Sequence, residues 1–337
     1  FFEDVDALRA FVAQCDAIVH LAAVNRHEDM QVLYDTNVRL VKQLIEAMEH
    51  EDVTPHVLFS SSTQEERDNE YGASKREGRR LLGEWAARQG AAFSGLVIPN
   101  VFGPFGRPEY NSVVATFCHR LAHGQTPEIH QDGRVELIYV NDLCAAIIDL
   151  IRERRACDPC RIEPRAAKRV SEILAMLERY RETYLEHREI PAFADAFERD
   201  LFNTFTCYVD HAAFFPGALE PHADDRGSFV EVLRLHGSGG QVSFSTTRPG
   251  ITRGNHYHTR KYERFAVIRG RARIRLRRIG GDEVLTFDLD GDQPAFVDMP
   301  VWFTHNITNT GDDDLYTIFW ISETYDASDP DTFAEPV

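Results

Sequence analysis

Between Gly250 and Gly270 the chain spaces two histidines and a glutamate as G-x5-H-x-H-x4-E-x6-G, with His256, His258 and Glu263 at the fixed positions. Residues two apart on a strand leave the same face, so both imidazoles point to one side of an extended segment, here the interior of a small β-barrel. The odd offset to Glu263 would aim it outward on a straight strand. A turn over Thr259 to Lys261 brings the carboxylate back opposite the histidines. A fourth candidate, His305, lies in the stretch Pro300 to Asn309, which reads P-x4-H-x3-N. Three imidazoles and one carboxylate suit zinc, and equally iron, manganese or nickel. Ordinary core histidines would not need four positions obeying two spacing rules.

From Cys207 onward short strands are separated by Gly, Pro, Asp and Asn at the regular intervals of a small barrel. This region resembles the cupin fold, with Trp302 where the second cupin motif usually has glycine. The resemblance implies one divalent metal, zinc foremost, on His256, His258, Glu263 and His305. It also brings a competing chemistry, because some sugar-nucleotide epimerases of this fold work without metal through a His and Tyr pair.

Upstream the pattern differs. From Ala17 to about Leu150, short apolar runs (17–22, 56–60 and 93–98) alternate with amphipathic helical runs (32–49 and 71–89), which predicts a parallel sheet covered by helices. The expected fold is α/β plus all-β: a Rossmann-like doubly wound sheet over 1–155, a helical connector over 156–206 that belongs to the reductase part, and a cupin barrel over 207–337. Tyr71 and Lys75 form a Y-x-x-x-K pair at the head of a helix, where positions i and i+4 share a face. A neighbouring ammonium would lower the phenol pKa, so that Tyr71 could exchange a proton with a carbonyl while hydride moves at the adjacent carbon. Ser60 to Ser62 end the preceding strand, Leu21, Ala22 and Ala23 follow an earlier one, and Pro99 and Asn100 follow a third. Ligands of open α/β sheets bind outside such strand ends. This half resembles the extended short-chain dehydrogenase/reductase superfamily over about residues 1–150, but the glycine-rich turn that cradles pyrophosphate is absent. With Phe1 leading directly into a helical stretch, the chain reads as truncated at its start, and poor dinucleotide binding is expected.

The formal charge of −17 argues against a nucleic-acid surface, and no apolar run approaches the length of a membrane span. Six scattered cysteines are the usage of a reducing compartment, which makes the cytoplasm the default. Cys157 and Cys160 have C-x-x-C spacing without a second ligand pair, and read as an inert linker feature. Only four lysines occur, at 42, 75, 168 and 261, which singles out Lys75.

A reductase followed by a metal cupin resembles the bifunctional CapF family of capsular polysaccharide biosynthesis. The stretches that carry the resemblance are Leu21 to Arg26, Ser60 to Ser62, Asp68 to Lys75, Pro108 to Cys118, Asp225 to Phe229, Gly250 to Gly270 and Thr304 to Ile307. It implies a UDP-linked 2-acetamido-2,6-dideoxy-4-keto-hexose as substrate, on the route to UDP-N-acetyl-L-fucosamine. The metal would assist epimerisation at carbon 3, and NADPH would reduce carbon 4, with Tyr71 as proton donor and Ser62 and Lys75 assisting. Leu21, Ala22, Ala23, Ser60, Tyr71, Lys75 and Pro99 would hold the dinucleotide, and Asn100, Arg107 and Asn111 the substrate. Tyr257, Lys261 and Tyr316 are candidates for the proton shuttle of the cupin. Two rival readings are a reductase whose metal is structural, and a sugar-binding or assembly protein without turnover. The Phe-rich segment from Phe193 to Phe215 suggests self-association, as a homodimer.

Overall fold

The computed structural model describes residues 2–225 and 227–337. Phe1 and Arg226, the latter within the Asp225 to Phe229 stretch, lie outside the described residues. The chain forms two compact units: Phe1–Phe102, Glu109–Ser112 and Gly133–Arg169 make the first, and Gly103–Pro108, Val113–Asp132 and Val170–Val337 the second. Among the described residues no helix is long and apolar enough to cross a membrane.

The first unit starts with α1 (Val5–Val12), β1 (Ala17–His20), α2 (Met30–His50), β2 (His56–Ser62), α3 (Glu70–Gln89), β3 (Phe93–Ile98) and β4 (Asn100–Phe102). After α4 (Val113–Ala122), which belongs to the second unit, come β5 (Arg134–Tyr139), α5 (Val140–Arg152), β6 (Cys157–Arg161) and β7 (Ala166–Arg169). Strands β1, β2, β3 and β6 pair in that order, all parallel. Alternate residues of β2 feed two separate cores. Val57 and Phe59 pack with Val41, Met48, Leu82 and Trp85, whereas Leu58 packs with Ile138, Leu143 and Leu150. Burial on both faces explains the near-continuous apolar runs of β2 and β3. Side-chain oxygens of Asp29 and Asn69 cap α2 and α3 by accepting backbone N–H groups of the first turn.

The segment expected to be a wholly helical part of the reductase contains two strands, and from Val170 on it belongs to the second unit. Asp158 and Pro159 disfavour a strand, but β6 is the edge of the sheet, and a shift of register between Ser94 and Leu96 lets these two residues bulge outward. Cys157 and Cys160 thereby pack against the second core.

In the second unit, α6 (Val170–Tyr180) runs into a π-helical turn (Arg181–Glu186), followed by α7 (Ala196–Thr206) and α8 (His211–Phe214). The strands are β8 (Gly217–Ala218), β9 (Pro221–Asp224), β10 (Gly227–Val230), β11 (Gln241–Thr247), β12 (Thr252–Tyr257), β13 (Glu263–Arg269), β14 (Arg271–Arg278), β15 (Val284–Asp290), β16 (Ala295–Met299), β17 (Phe303–Asn309), β18 (Leu315–Ile321) and β19 (Phe333–Ala334). Ten of them make two antiparallel sheets, ordered β11-β18-β13-β16-β8 and β15-β14-β17-β12-β19. Strand β14 shows why: Ala272, Ile274 and Leu276 are buried while Arg271 and Arg273 face solvent. Those three join Val267, Phe287, Phe296, Val297 and Ile307 in one core shared by both sheets. Phe197, Phe202, Phe205 and Phe215 are also buried. The Phe-rich segment is therefore internal packing, and lends no support to self-association.

Candidate functional site

In the second unit β12 delivers His256 and, one residue past its end, His258; β13 opens on Glu263 and β17 carries His305. The register of β12 on β17 slips between Gly254 and His256, which sets His256 directly beside His305. Gly254 has φ +100°, and a Cβ there would stand 2.7 Å from the His305 carbonyl oxygen, so the two strands approach this closely only with glycine. Ring centroids lie 4.7 Å apart for His256 and His305, 5.0 Å for His256 and His258, and 5.4 Å for His258 and His305. One ligand atom from each of the four residues falls within 4.8 Å of the others, a possible metal site built from the residues expected.

The electrostatics support that fit. His258 Nε2 and His305 Nε2 sit 3.3 and 3.2 Å from Glu263 Oε2, but off the directions of hydrogen bonds, and all three atoms are buried without a hydrogen-bond partner. Orphaned buried polar atoms cost about 1–3 kcal/mol each, and a cation among them would satisfy all three. The other ring nitrogens are occupied: His305 Nδ1 donates to the Phe303 carbonyl oxygen at 3.2 Å, and His258 Nδ1 to that of Asp331. Burial would raise the Glu263 pKa, but His258 and His305 hold it far below the usual carboxylate range. Burial, then the charges of His305 and His258, push His256 down to about 4.

A cavity of about 210 Å³ opens on His256, Glu263 and His305, with Ser245, Arg253, Phe265, Asn306 and Phe319 in its wall. None of the three proton-shuttle candidates lines it. Tyr257 is stacked between Trp302 and Phe333, at 5.7 and 5.2 Å. Lys261 donates to the Pro330 carbonyl oxygen, and Tyr316 lies under Arg269. The stacking also accounts for Trp302 in a place that favours glycine. Its φ is +64°, a strained value for a bulky residue, and it is held by the Tyr257 ring, by its N–H donating 2.7 Å to the His258 carbonyl oxygen, and by its own carbonyl accepting from Ile279.

The first unit gathers the reductase candidates around the start of α3. A Cβ on Gly72 would fall 2.0 Å from the Gln64 carbonyl oxygen, so glycine lets this helix begin hard against the turn after β2. Tyr71 is half-buried there and Lys75 is buried, its Nζ 5.7 Å from the Tyr71 ring centroid. Lys75 Nζ donates to the Ser60 carbonyl oxygen at 2.9 Å. Burial lowers Lys75 to about 8, against the pull of Glu65. The phenol moves opposite to the sequence expectation: burial raises the Tyr71 pKa and Tyr110 adds to the rise. Ser62 Oγ accepts from Gln64 N at 3.1 Å, and Ser60 Oγ donates to the His20 carbonyl oxygen.

Leu21 is well exposed beyond β1, Ala22 and Ala23 are half-buried, and Pro99 is buried after β3. Asn37, which no spacing singled out, fixes this loop to α3. It bonds both the N–H and the carbonyl oxygen of Val24 and reaches Ser74 Oγ, which donates to the Tyr71 carbonyl oxygen. Only contact between distant segments shows its role. Asn100 is exposed and donates to the Glu136 carbonyl oxygen, and Asn111 is exposed. Arg107, also exposed, belongs to the second unit, so neither unit alone contains all three substrate candidates.

Comparison with known proteins matches two successive stretches of the chain to different families. Residues 2–162 match the NAD dependent epimerase/dehydratase family, and residues 222–333 the polysaccharide biosynthesis C-terminal domain. The chain is 33% identical to a UDP-2-acetamido-2,6-beta-L-arabino-hexul-4-ose reductase of Pseudomonas aeruginosa, over 98% of this chain and 88% of that protein. The crystal structure of the capsular polysaccharide assembling protein CapF from Staphylococcus aureus superposes with a TM-score of 0.63 at 35% identity, over 98% of this chain and 90% of that one. The spore coat polysaccharide biosynthesis protein SpsL of Bacillus subtilis is 28% identical over 122 residues, 34% of this chain and 81% of that protein.

Proposed function

Because the chain belongs to the CapF family of capsular polysaccharide biosynthesis, we propose that it is a bifunctional nucleotide-sugar enzyme whose cupin half epimerises and whose reductase half reduces. The substrate is a UDP-2-acetamido-2,6-dideoxy-4-keto-hexose, inverted at carbon 3 and then reduced at carbon 4, towards UDP-N-acetyl-L-fucosamine. The enzyme works in the cytoplasm on a soluble UDP-sugar.

The observation that carries the epimerase half is the convergence of His258 Nε2, His305 Nε2 and Glu263 Oε2, buried and without hydrogen-bond partners. With His256 they would hold one divalent metal, zinc foremost, which supplies Lewis-acid polarisation of the carbon 4 ketone and so acidifies the carbon 3 proton. The metal-free His and Tyr mechanism is disfavoured, since no tyrosine is among the cavity's lining residues. Ser245, Arg253 and Asn306 offer polar contacts to sugar and diphosphate oxygens there.

In the reductase half, NADPH supplies the hydride, and Leu21, Ala22, Ala23, Ser60, Tyr71, Lys75 and Pro99 are the residues that would hold it. Tyr71 gives its phenolic proton to the carbon 4 oxygen. A phenol whose pKa is raised by burial keeps that proton until the oxyanion develops, which suits the reducing direction. Ser62 orients the oxygen, and the Lys75 cation favours the phenolate left behind. Asn100, Arg107 and Asn111 bind the UDP-sugar. Reduction removes the ketone, so it traps the epimerised sugar.

NMR of the UDP-4-keto sugar in deuterated water tests both halves. Deuterium is expected at carbon 3 without NADPH, with the reduced sugar appearing only on its addition. Carbon 3 exchange that persists undiminished after chelation of the metal would reduce the site to a structural one.

The enzyme acts as a homodimer, supported by the edge strand β11, on which Val242 and Phe244 are exposed. A monomer mass by light scattering at micromolar concentration would refute that state.

A further inference from the structure

The last nine residues of the chain run alongside the turn that separates His258 from Glu263. Strand β19 pairs Phe333 with Tyr257 and Ala334 with His256, Glu335 N donates to the Asn255 carbonyl oxygen at 3.0 Å, and Lys261 Nζ donates to that of Pro330. Asp331, only 4% exposed, sits at the centre of this strap. Its Oδ1 accepts from Thr259 N at 3.1 Å and from Thr259 Oγ1 at 2.7 Å. Its Oδ2 accepts from Arg260 N and from Lys261 N, both at 2.9 Å. Its carbonyl oxygen faces His258 Nδ1.

Three consecutive backbone N–H groups drawn onto one carboxylate fix the path of the chain between two of the four metal-site residues. The carbonyl contact fixes something further. A carbonyl oxygen can only accept, so His258 Nδ1 must carry a hydrogen, and in the neutral ring that a metal requires Nε2 then presents its lone pair; Nε2 is the atom 3.3 Å from Glu263 Oε2. We infer that Asp331 is a positioning residue of the metal centre: through its carbonyl it selects the ligating tautomer of His258, and through its carboxylate it curls the 259–261 turn so that Glu263 closes the site. The inference rests on the reading of His256, His258, Glu263 and His305 as metal ligands. Partners of this kind typically contribute 10- to 100-fold in metal affinity.

The test titrates zinc into the metal-stripped full-length chain against a chromogenic chelator. Asp331→Ala is expected to bind zinc about 10- to 100-fold more weakly than the parent, Asp331→Asn to recover part of the loss, and Asp329→Asn, which alters an exposed pair with Arg260, to match the parent. A purely structural Asp331 would lower the apo melting temperature and leave the affinity of the folded protein unchanged. Should Asp331→Ala fail to fold, Thr259→Val, which deletes the hydroxyl bond to Oδ1, takes its place together with Asp331→Asn. Cobalt loaded in place of zinc should then show a shifted visible spectrum in both variants. Parent-like affinity and parent-like cobalt spectra across the folded variants would overturn the inference alone, whereas a parent that binds no zinc would overturn the metal reading with it.

Discussion

Tyr71 and Lys75 show how one residue pair can serve two conditions. The ammonium is spent on the Ser60 carbonyl oxygen, and burial dominates both groups, lowering Lys75 to about 8 and raising the phenol. A cation brought nearer neutrality by burial is sensitive to whatever excludes more water from the site. Tyr71→Phe should therefore lower NADPH oxidation by at least about 10²-fold, the scale of lost general-acid catalysis, while carbon 3 exchange in deuterated water stays at the parental rate. Loss of both activities together would mean that the substitution acts on the fold. The spacing Y-x-x-x-K placed these two side chains on one helix face, as periodicity must. It could not foretell the direction of the phenol pKa, because that is set first by burial and then by Tyr110, and neither is encoded in the four-residue interval.

At the scale of elements, legibility tracked how local the cause was. The βα alternation and the H-x-H spacing follow periods of 3.6 and 2 residues, so the helices Met30–His50 and Glu70–Gln89 and the strand that carries His256 could be read directly. Strand β6 could not, because its Asp and Pro argue against pairing and only the free edge of β3 overrides them. The π-helical turn Arg181–Glu186 is a further example. Its wider ring, seen in His187 N donating to the Glu182 carbonyl oxygen, advances Tyr184 until its hydroxyl meets Tyr262 at 2.5 Å and Asp298 at 2.9 Å. Asp298 also holds Arg264 by two bonds of 2.7 and 2.9 Å, and Arg264 is 2% exposed. Asp298→Ala leaves that guanidinium buried without its partner, at a cost of about 3–5 kcal/mol. The expected result is a clearly lower urea midpoint for the second unit, with Arg264→Met plus Asp298→Leu restoring most of it. If Asp298→Ala unfolded at the parental midpoint, the network would be incidental to stability.

Across the whole molecule, burial keeps histidines of both units neutral, His20 in the first and His211 in the second among them. His20 in the first unit is pushed down to about 4 by burial and then by Lys75, and His211 in the second to about 4 by burial, against the bond of its Nε2 with the Thr206 carbonyl oxygen. An unfolded imidazole takes up a proton near pH 6.5, but these two do not until about pH 4, so the unfolded state binds more protons throughout that window. Stability should therefore fall as pH drops from 7 towards 4, by on the order of 3 kcal/mol for each histidine at most. Urea midpoints of the metal-stripped chain at pH 7 and pH 5 measure this, and His211→Gln should flatten the dependence. A variant as pH-sensitive as the parent would assign the acid lability elsewhere.

The two units do not follow one another along the chain. Helix α4 packs with α6 and α7 in the second unit, yet it is made before β5, α5, β6 and β7, which complete the first. A ribosome therefore releases part of the second unit early and must hold it idle while the first is finished. No single cut in the gene yields two whole halves: a fragment ending at Arg169 would display Val114, Phe117 and Leu121 with nothing to cover them. Dissection of this enzyme requires grafting α4 onto the later fragment, and evolution would have met the same constraint in any attempt to separate the two halves.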